Sequence, residues 1–154
     1  MIIILEGCDK TGKTTLANKL FERTDFKMYK SSQPKKPPYE EYMEMLDIIG
    51  KEDAIIDRFH LGEMVYGPIY RGKSNLTNIQ FKYIEDRLKK LKTVVIYCSD
   101  DSTKIAKRFK KDKEEFTKEQ DIVDILLRYY EIIKKSTLPI LHHQINKNDL
   151  TKIL

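Results

Sequence analysis

Short apolar runs alternate with stretches of helical periodicity along this chain. Met1-Ile2-Ile3-Ile4-Leu5 is a continuous apolar run, the pattern of a strand covered on both faces. Comparable runs occur at residues 26–31 (Phe26 to Ser31), 54–57 (Ala54-Ile55-Ile56-Asp57), 93–98 (Thr93 to Cys98) and about 138–145. Helical spacing is clearest at 39–50, 78–91, 102–114 and 118–135, and Thr15 to Phe21 is a further helix-forming segment. In the stretch 118–135, Ile122, Ile125, Leu126, Tyr129, Ile132 and Ile133 fall on one stripe, which marks core packing rather than chemistry. Strands alternating with helices predict an α/β fold with a five-stranded parallel sheet flanked by helices. At 154 residues, with no internal repeat and no interdomain linker, the chain 1–154 fits a single domain.

The first apolar run passes directly into Gly7-Cys8-Asp9-Lys10-Thr11-Gly12-Lys13-Thr14, which fits the phosphate-binding pattern G-x-x-x-x-G-K-[ST]. A strand before and a helix after are the context such a loop requires. Its glycines let backbone N–H groups converge on an anion, and the helix N-terminus adds a partial positive charge. Lys13 is expected to reach the β- and γ-phosphates of ATP, and the Thr14 hydroxyl to coordinate Mg²⁺. Gly7, Asp9, Lys10, Thr11, Gly12, Lys13, Thr14 and Thr15 form the expected nucleotide-binding set. In open parallel sheets ligands gather at the carboxyl ends of strands. The proline-bearing loop 31–38, Asp57-Arg58, and residues 98–103 and 143–148 are therefore expected on the same surface.

Charge and composition alter this picture only locally. A net charge of +5, from 29 basic and 24 acidic residues, describes a lysine-rich solvated surface. Within it, Lys104, Lys107, Arg108, Lys110, Lys111 and Lys113 form a dense run expected to act as a lid (about 104–117) over an anionic ligand. No nucleic-acid-binding motif accompanies the charge, so a nucleic-acid partner is not expected. Cys8 and Cys98 fit neither a disulfide framework nor a metal-ligand spacing. With no N-terminal signal, and no stretch near the roughly 18 apolar residues of a membrane span, the expected setting is cytoplasmic and free of membrane. Cys8 reads as a passive small loop residue, and His142-His143 as a solvated turn. His60 reads either as a brace of the acceptor pocket or as a partly exposed structural histidine.

The third apolar run ends in Asp57-Arg58-Phe59. An acidic residue after a strand is what an enzyme with this loop uses to hold Mg²⁺, and Asp57 fits that role. Arg58 would project where an acceptor phosphate sits, its planar fork suited to bidentate contact.

At this point the chain resembles the thymidylate kinase-like nucleoside monophosphate kinases, which adopt the P-loop NTPase three-layer sandwich. Their opening reads Glu-Gly-x-Asp-x-x-Gly-Lys-[Ser/Thr]-Thr, here Glu6-Gly7-Cys8-Asp9-Lys10-Thr11-Gly12-Lys13-Thr14-Thr15. They also carry Asp-Arg-aromatic after strand three, here Asp57-Arg58-Phe59. The resemblance implies that Asp9 approaches the acceptor's 3′-hydroxyl and that Lys10 stands where many members place an arginine. It further implies that Arg58 binds the acceptor phosphate and that Arg108 lies in the lid over ATP. A homodimer through helices beside strand three would involve the Ile79-Phe81-Ile84 region. The compact stretch from Asp57 to Lys73 is similar to that of a virus-encoded member. The usual arginine after strand two is absent, as is a Phe-x-x-x-Arg arrangement in the following helix, so thymine specificity is not expected. Tyr39, Tyr42, Phe59, Tyr66 and Tyr70 are either a stacking surface or ordinary packing.

A sugar hydroxyl acceptor benefits from a carboxylate base, whereas a monophosphate already offers an anionic oxygen. Deoxynucleoside kinases carry a glutamate at the end of strand two and Glu-Arg-Ser after strand three; this chain has Ser31-Ser32-Gln33 and Asp57-Arg58-Phe59. The expectation is therefore ATP-dependent phosphoryl transfer to a (deoxy)nucleoside 5′-monophosphate, with Lys13, Arg58, Lys10 and Arg108 as catalytic groups and Thr14 and Asp57 on Mg²⁺. Two alternatives stay open: a kinase with a hydroxyl acceptor, either a deoxynucleoside or a polynucleotide 5′-end, in which Asp9 would be the base, and a non-catalytic nucleotide-binding regulatory module.

Overall fold

In a computed structural model, which describes residues 1–31, 35–111, 118–145 and 147, five parallel strands carry the chain. They are β1 (Ile2–Glu6), β2 (Lys27–Lys30), β3 (Ala54–Asp57), β4 (Thr93–Ser99) and β5 (Ile140–Gln144), in the order β2-β3-β1-β4-β5. Between them run α1 (Lys13–Arg23), α2 (Pro38–Ile49), α3 (His60–Arg71), α4 (Asn78–Lys90), α5 (Ser102–Lys111) and α6 (Ile122–Lys135). This is the three-layer α/β architecture of P-loop kinases.

Strand periodicity divides the core into two faces. Ile3 and Leu5 of β1 join Ile55, Ile96 and Cys98 under Leu16, Ala17 and Leu20 of α1. Ile2 and Ile4 turn the other way, into the larger cluster with Leu46, Leu61, Val65, Ile84, Leu88, Ile125 and Tyr129. Every residue of β1 is buried, as its unbroken apolar run requires of a central parallel strand. The stripe on α6 is core as expected, with Ile122, Ile125, Tyr129 and Ile132 buried.

The elements lie close to where the pattern puts them, with two informative departures. β5 starts at Ile140 because Pro139 has no N–H for the ladder and contributes only its carbonyl, to Val95 N at 2.9 Å. The last helix opens with a 3₁₀ turn at Glu119–Asp121 and becomes α-helical only at Ile122. The helix expected over 102–114 runs from Ser102 to Lys111; the rest of the expected lid, 112–117, lies outside the described residues.

One whole helix, α3, has no counterpart in the periodicity. It contains Gly62, Gly67 and Pro68, carries buried His60 and Glu63 on its inner face, and starts after Phe59, which offers no side-chain cap. Helix α4 announces itself instead, with a capping box between Thr77 and Gln80. In that helix Phe81 and Ile84 are buried in the chain's own core, so of the three residues expected at a dimer face only Ile79 is exposed, beside Tyr83.

Candidate active site

The carboxyl ends of β1, β2 and β3 open onto one cavity of about 430 Å³, lined by Asp9, Lys10, Gly12, Lys13, Thr14, Thr15, Lys30, Ser31, Asp57 and Arg58. Of the residues expected to bind nucleotide, Asp9, Lys10, Gly12, Lys13, Thr14 and Thr15 meet here. Gly7 and Thr11 lie behind the wall and shape it. A side chain at Gly7 would collide with the Cys98 carbonyl, a Cβ there falling 2.0 Å from the oxygen, and φ is +141°. Buried Thr11 donates from Oγ1 to the Cys8 carbonyl at 2.6 Å, closing the loop on itself.

Helix α1 begins under this loop with Gly12 in a left-handed conformation, no side-chain cap and no acidic residue in its first turn. Its first N–H groups are thus left for an anion, and the helix dipole favours one. Lys13, 7% exposed, donates from Nζ to the Cys8 carbonyl at 2.7 Å. Burial pulls its ammonium below the ordinary lysine range and Arg58 adds to the effect, while Asp9 and Asp57 oppose it. An incoming phosphate would remove that penalty. Cys8 is fully buried and burial pushes its thiol up to about 11, so it is a packing residue rather than a nucleophile.

Asp57 ends β3 beside both Leu5 and Lys30 in the sheet register. Its Oδ1 is buried without a hydrogen-bond partner among the described residues, while the Thr14 hydroxyl belongs to the same cavity and is exposed. An orphaned carboxylate oxygen in the same cavity as an exposed hydroxyl suits a hard divalent cation with oxygen ligands. The residues present therefore fit Mg²⁺.

Arg58 follows immediately, with φ of +64°. For a non-glycine residue this costs free energy and persists only where neighbours hold it. Its N–H donates to the Leu5 carbonyl at 2.9 Å, its guanidinium pairs with Asp9, and its Cζ stands 5.1 Å from the Tyr66 ring centre. Tyr66 in turn stacks on Tyr70, 6.1 Å between centres and 8° apart in plane. Of the five aromatic residues expected to offer a stacking surface, Tyr42 and Phe59 are buried in the core 4.5 Å apart, and Tyr66 is the one set against Arg58.

Arg108 is not on the cavity wall. It leaves α5 to pair with Asp100 and to donate to the Lys10 carbonyl at 2.8 Å, while Gln144 of β5 donates to the same Asp100 at 2.9 Å. The guanidinium thus fastens the phosphate loop to β4 and β5 from the outside. His60 is fully buried and shares a 2.7 Å hydrogen bond with Glu85, which also accepts from Ser136 Oγ, Thr137 N and Thr137 Oγ1. It braces the turn after Arg58 from within and does not touch the cavity.

Ser31 lies on the surface expected for the loop 31–38, whereas Lys30 and Glu6 escaped sequence reasoning. Lys30 and Ser31 line the cavity because β2 pairs with β3 so that Lys30 stands opposite Asp57. Glu6 is a fully buried carboxylate behind the site, accepting from the N–H groups of Phe59 (2.8 Å) and Gly62 (3.2 Å) and from the Tyr129 hydroxyl (3.0 Å). The parity of β1 was the available signal: Glu6 shares a face with Ile2 and Ile4, so its carboxylate must enter the larger core.

A parallel sheet with this loop after its first strand and an acidic-basic pair after its third defines the class of P-loop kinase folds. The chain belongs to the family of the SPbeta prophage-derived uncharacterized protein YorR of Bacillus subtilis (strain 168), with 34% identity over 140 residues, 89% of this chain and 84% of that one. The crystal structure of Bacillus subtilis YorR in complex with phosphorylated GDP superposes with a TM-score of 0.83 at 30% identity, covering 99% of this chain and 91% of that one. Deoxyadenosine kinase from M. mycoides with bound dCTP shares the fold at a TM-score of 0.61 and 19% identity, over 99% of this chain and 95% of that one. Thymidylate kinase from Ehrlichia chaffeensis does so at 0.53 and 15%, over 99% and 92%. No family model matches the chain. Among the described residues, no helix is long and apolar enough to cross a membrane.

Proposed function

We propose that the chain acts as a single kinase domain that transfers the γ-phosphoryl group of ATP to a (deoxy)nucleoside 5′-monophosphate, giving the diphosphate. The observation that carries this reading is Arg58, held in a left-handed turn on the wall of the cavity that also contains Lys13. It supplies a fixed bidentate cation where an anionic acceptor would meet the phosphate loop. Lys30 adds a second cation on the same side.

The N–H groups of the loop and of the first turn of α1 bind the donor phosphates, and Lys13 exchanges the Cys8 carbonyl for them. Thr14 and Asp57 hold Mg²⁺, which when bound neutralises charge on the phosphates. Arg58 aligns the acceptor phosphate and Lys10 offsets charge that develops in transfer, while Arg108 acts from outside the cavity by holding the Lys10 carbonyl. The carboxylate best placed to act as a base, Asp9, is engaged by Arg58, which disfavours a hydroxyl acceptor. Positioning and charge neutralisation suffice for a monophosphate.

YorR was crystallised with phosphorylated GDP, so guanine nucleotides are tested first, both as donor and as acceptor. The test is ADP release with Mg²⁺-ATP against all ribo- and deoxynucleoside monophosphates, the matching nucleosides and a 5′-hydroxyl oligonucleotide. Stimulation by one or a few monophosphates is expected. Stimulation by nucleosides or the oligonucleotide alone would overturn the proposal and make Asp9 the candidate base. ATP binding without turnover under any acceptor would indicate a regulatory module.

A further inference from the structure

From the arrangement behind the cavity we infer that Glu6 is a positioning residue for phosphoryl transfer, fixing the geometry of Arg58 from inside the core. The role is distinct from that of the loop it precedes, and for the identity of the acceptor it rests on the monophosphate reading.

Glu6 is the last residue of β1 and is 0% exposed. A lone carboxylate in such a place is costly unless its oxygens are occupied. Both are. Oε1 accepts from Phe59 N and Gly62 N, the residue after Arg58 and the third residue of α3, and Oε2 accepts from Tyr129 of α6. Because Phe59 cannot cap a helix with its own side chain, Glu6 serves as the cap of α3 from 56 residues away. The preceding carbonyl, on Leu5, takes the N–H of Arg58. Two consecutive residues of β1 therefore grip two consecutive residues of the Arg58 turn, one through its backbone and one through its side chain.

The grip is selective for this turn. Gly62 lets α3 approach: a Cβ there would stand 3.3 Å from Glu6 Oε2 and 3.6 Å from the Tyr129 hydroxyl. Without the carboxylate, nothing else among the described residues occupies the Phe59 and Gly62 N–H groups, and the positive φ of Arg58 loses one of its restraints. Glu6 also immediately precedes Gly7, so the segment that curls around the donor phosphates is continuous with the one that fixes the acceptor cation. A displacement of about 1 Å at such a cation costs roughly a hundredfold in rate.

Two variants and two readouts test this. Glu6→Gln keeps an oxygen for both N–H groups and an amide that can donate to Tyr129, whereas Glu6→Ala removes all three bonds. Steady-state kinetics should show acceptor KM raised about tenfold or more in Glu6→Ala, ATP KM within about twofold of the parent, and Glu6→Gln recovering most of the difference. A merely structural Glu6 would lower kcat through loss of folded protein and leave both KM values alone; that result overturns the inference. The second readout needs no acceptor: the side-chain Nε–Hε resonance of Arg58, assigned by its loss in Arg58→Lys. It should be dispersed in the parent and in Glu6→Gln, and collapse toward the free-arginine position in Glu6→Ala. If the parent turns over no monophosphate, the functional reading fails, and the Arg58 resonance alone decides the role of Glu6. An unchanged resonance in Glu6→Ala contradicts that role.

Discussion

The two halves of the cavity are built by opposite means. On the proposed donor side, the loop from Gly7 to Thr14 closes on itself through short-range contacts: Thr11 and Lys13 donate to the Cys8 carbonyl, three and five residues away. On the proposed acceptor side, Asp57-Arg58-Phe59-His60 is held by buried carboxylates from distant parts of the chain, Glu6 on Phe59 and Gly62 and Glu85 on His60. A local device survives in a contiguous sequence pattern. A non-local one depends on the whole core, so lesions there should affect stability and acceptor geometry together.

The largest effect that would sharpen this contrast is on the donor side. Lys13→Ala should cost about 2.7–4 kcal/mol of transition-state stabilisation, a hundredfold or more in turnover, with little loss of thermal stability. Turnover above a tenth of the parent's would refute the assignment. Next comes Arg58→Ala, expected to reduce acceptor kcat/KM by about ten- to a hundredfold, the worth of charge-assisted hydrogen bonds, while ATP KM holds. Equal changes for both substrates would dissolve the distinction between the halves.

Stability effects follow, and these belong to the acceptor side. Glu85→Ala strands His60, Ser136 and Thr137 and should lower unfolding free energy by about 3 kcal/mol, seen in urea titration. Burial acts to raise the Glu85 carboxyl, but the hydrogen bond and charge of His60 and the bonds from Thr137 prevail and hold it down at about 2. A carboxylate depressed on folding stabilises above its unfolded value near 4.5 and loses that contribution as pH falls toward 2. The parent should therefore lose stability across that window, and Glu85→Gln should flatten this part of the profile. Glu6 works in the opposite sense: burial raises its carboxyl despite Phe59, His60, Tyr129 and Gly62, so its ionisation costs stability as pH rises above 4.5. The smallest effect is Tyr129→Phe, about 1 kcal/mol for one buried hydrogen bond.

The same contrast explains what the sequence disclosed. The sheet was legible because central parallel strands are unbroken apolar runs, as in Ile2–Leu5. The loop was legible because phosphate binding needs fixed glycines beside a lysine and a hydroxyl. Asp57 and Arg58 were legible from their place at a strand end. Helix α3 was not, because Gly62, Gly67 and Pro68 weaken its propensity and its cap comes from Glu6 in another strand. Arg108 was placed in a lid, yet it pairs with Asp100 and holds the loop by donating to the Lys10 carbonyl, 98 residues away. Partners so far apart in sequence leave no local trace.

The central claim is that Arg58 serves an acceptor that is already a phosphate. The most direct measurement is to incubate the protein with Mg²⁺ and ATP labelled in its γ-phosphate, in parallel with guanosine and deoxyguanosine monophosphates and with the matching nucleosides, and to separate the products. Label appearing in a nucleoside diphosphate from the monophosphate, and in no nucleoside monophosphate, is the predicted result. Label appearing in a monophosphate made from a nucleoside, with none in a diphosphate, would contradict the account.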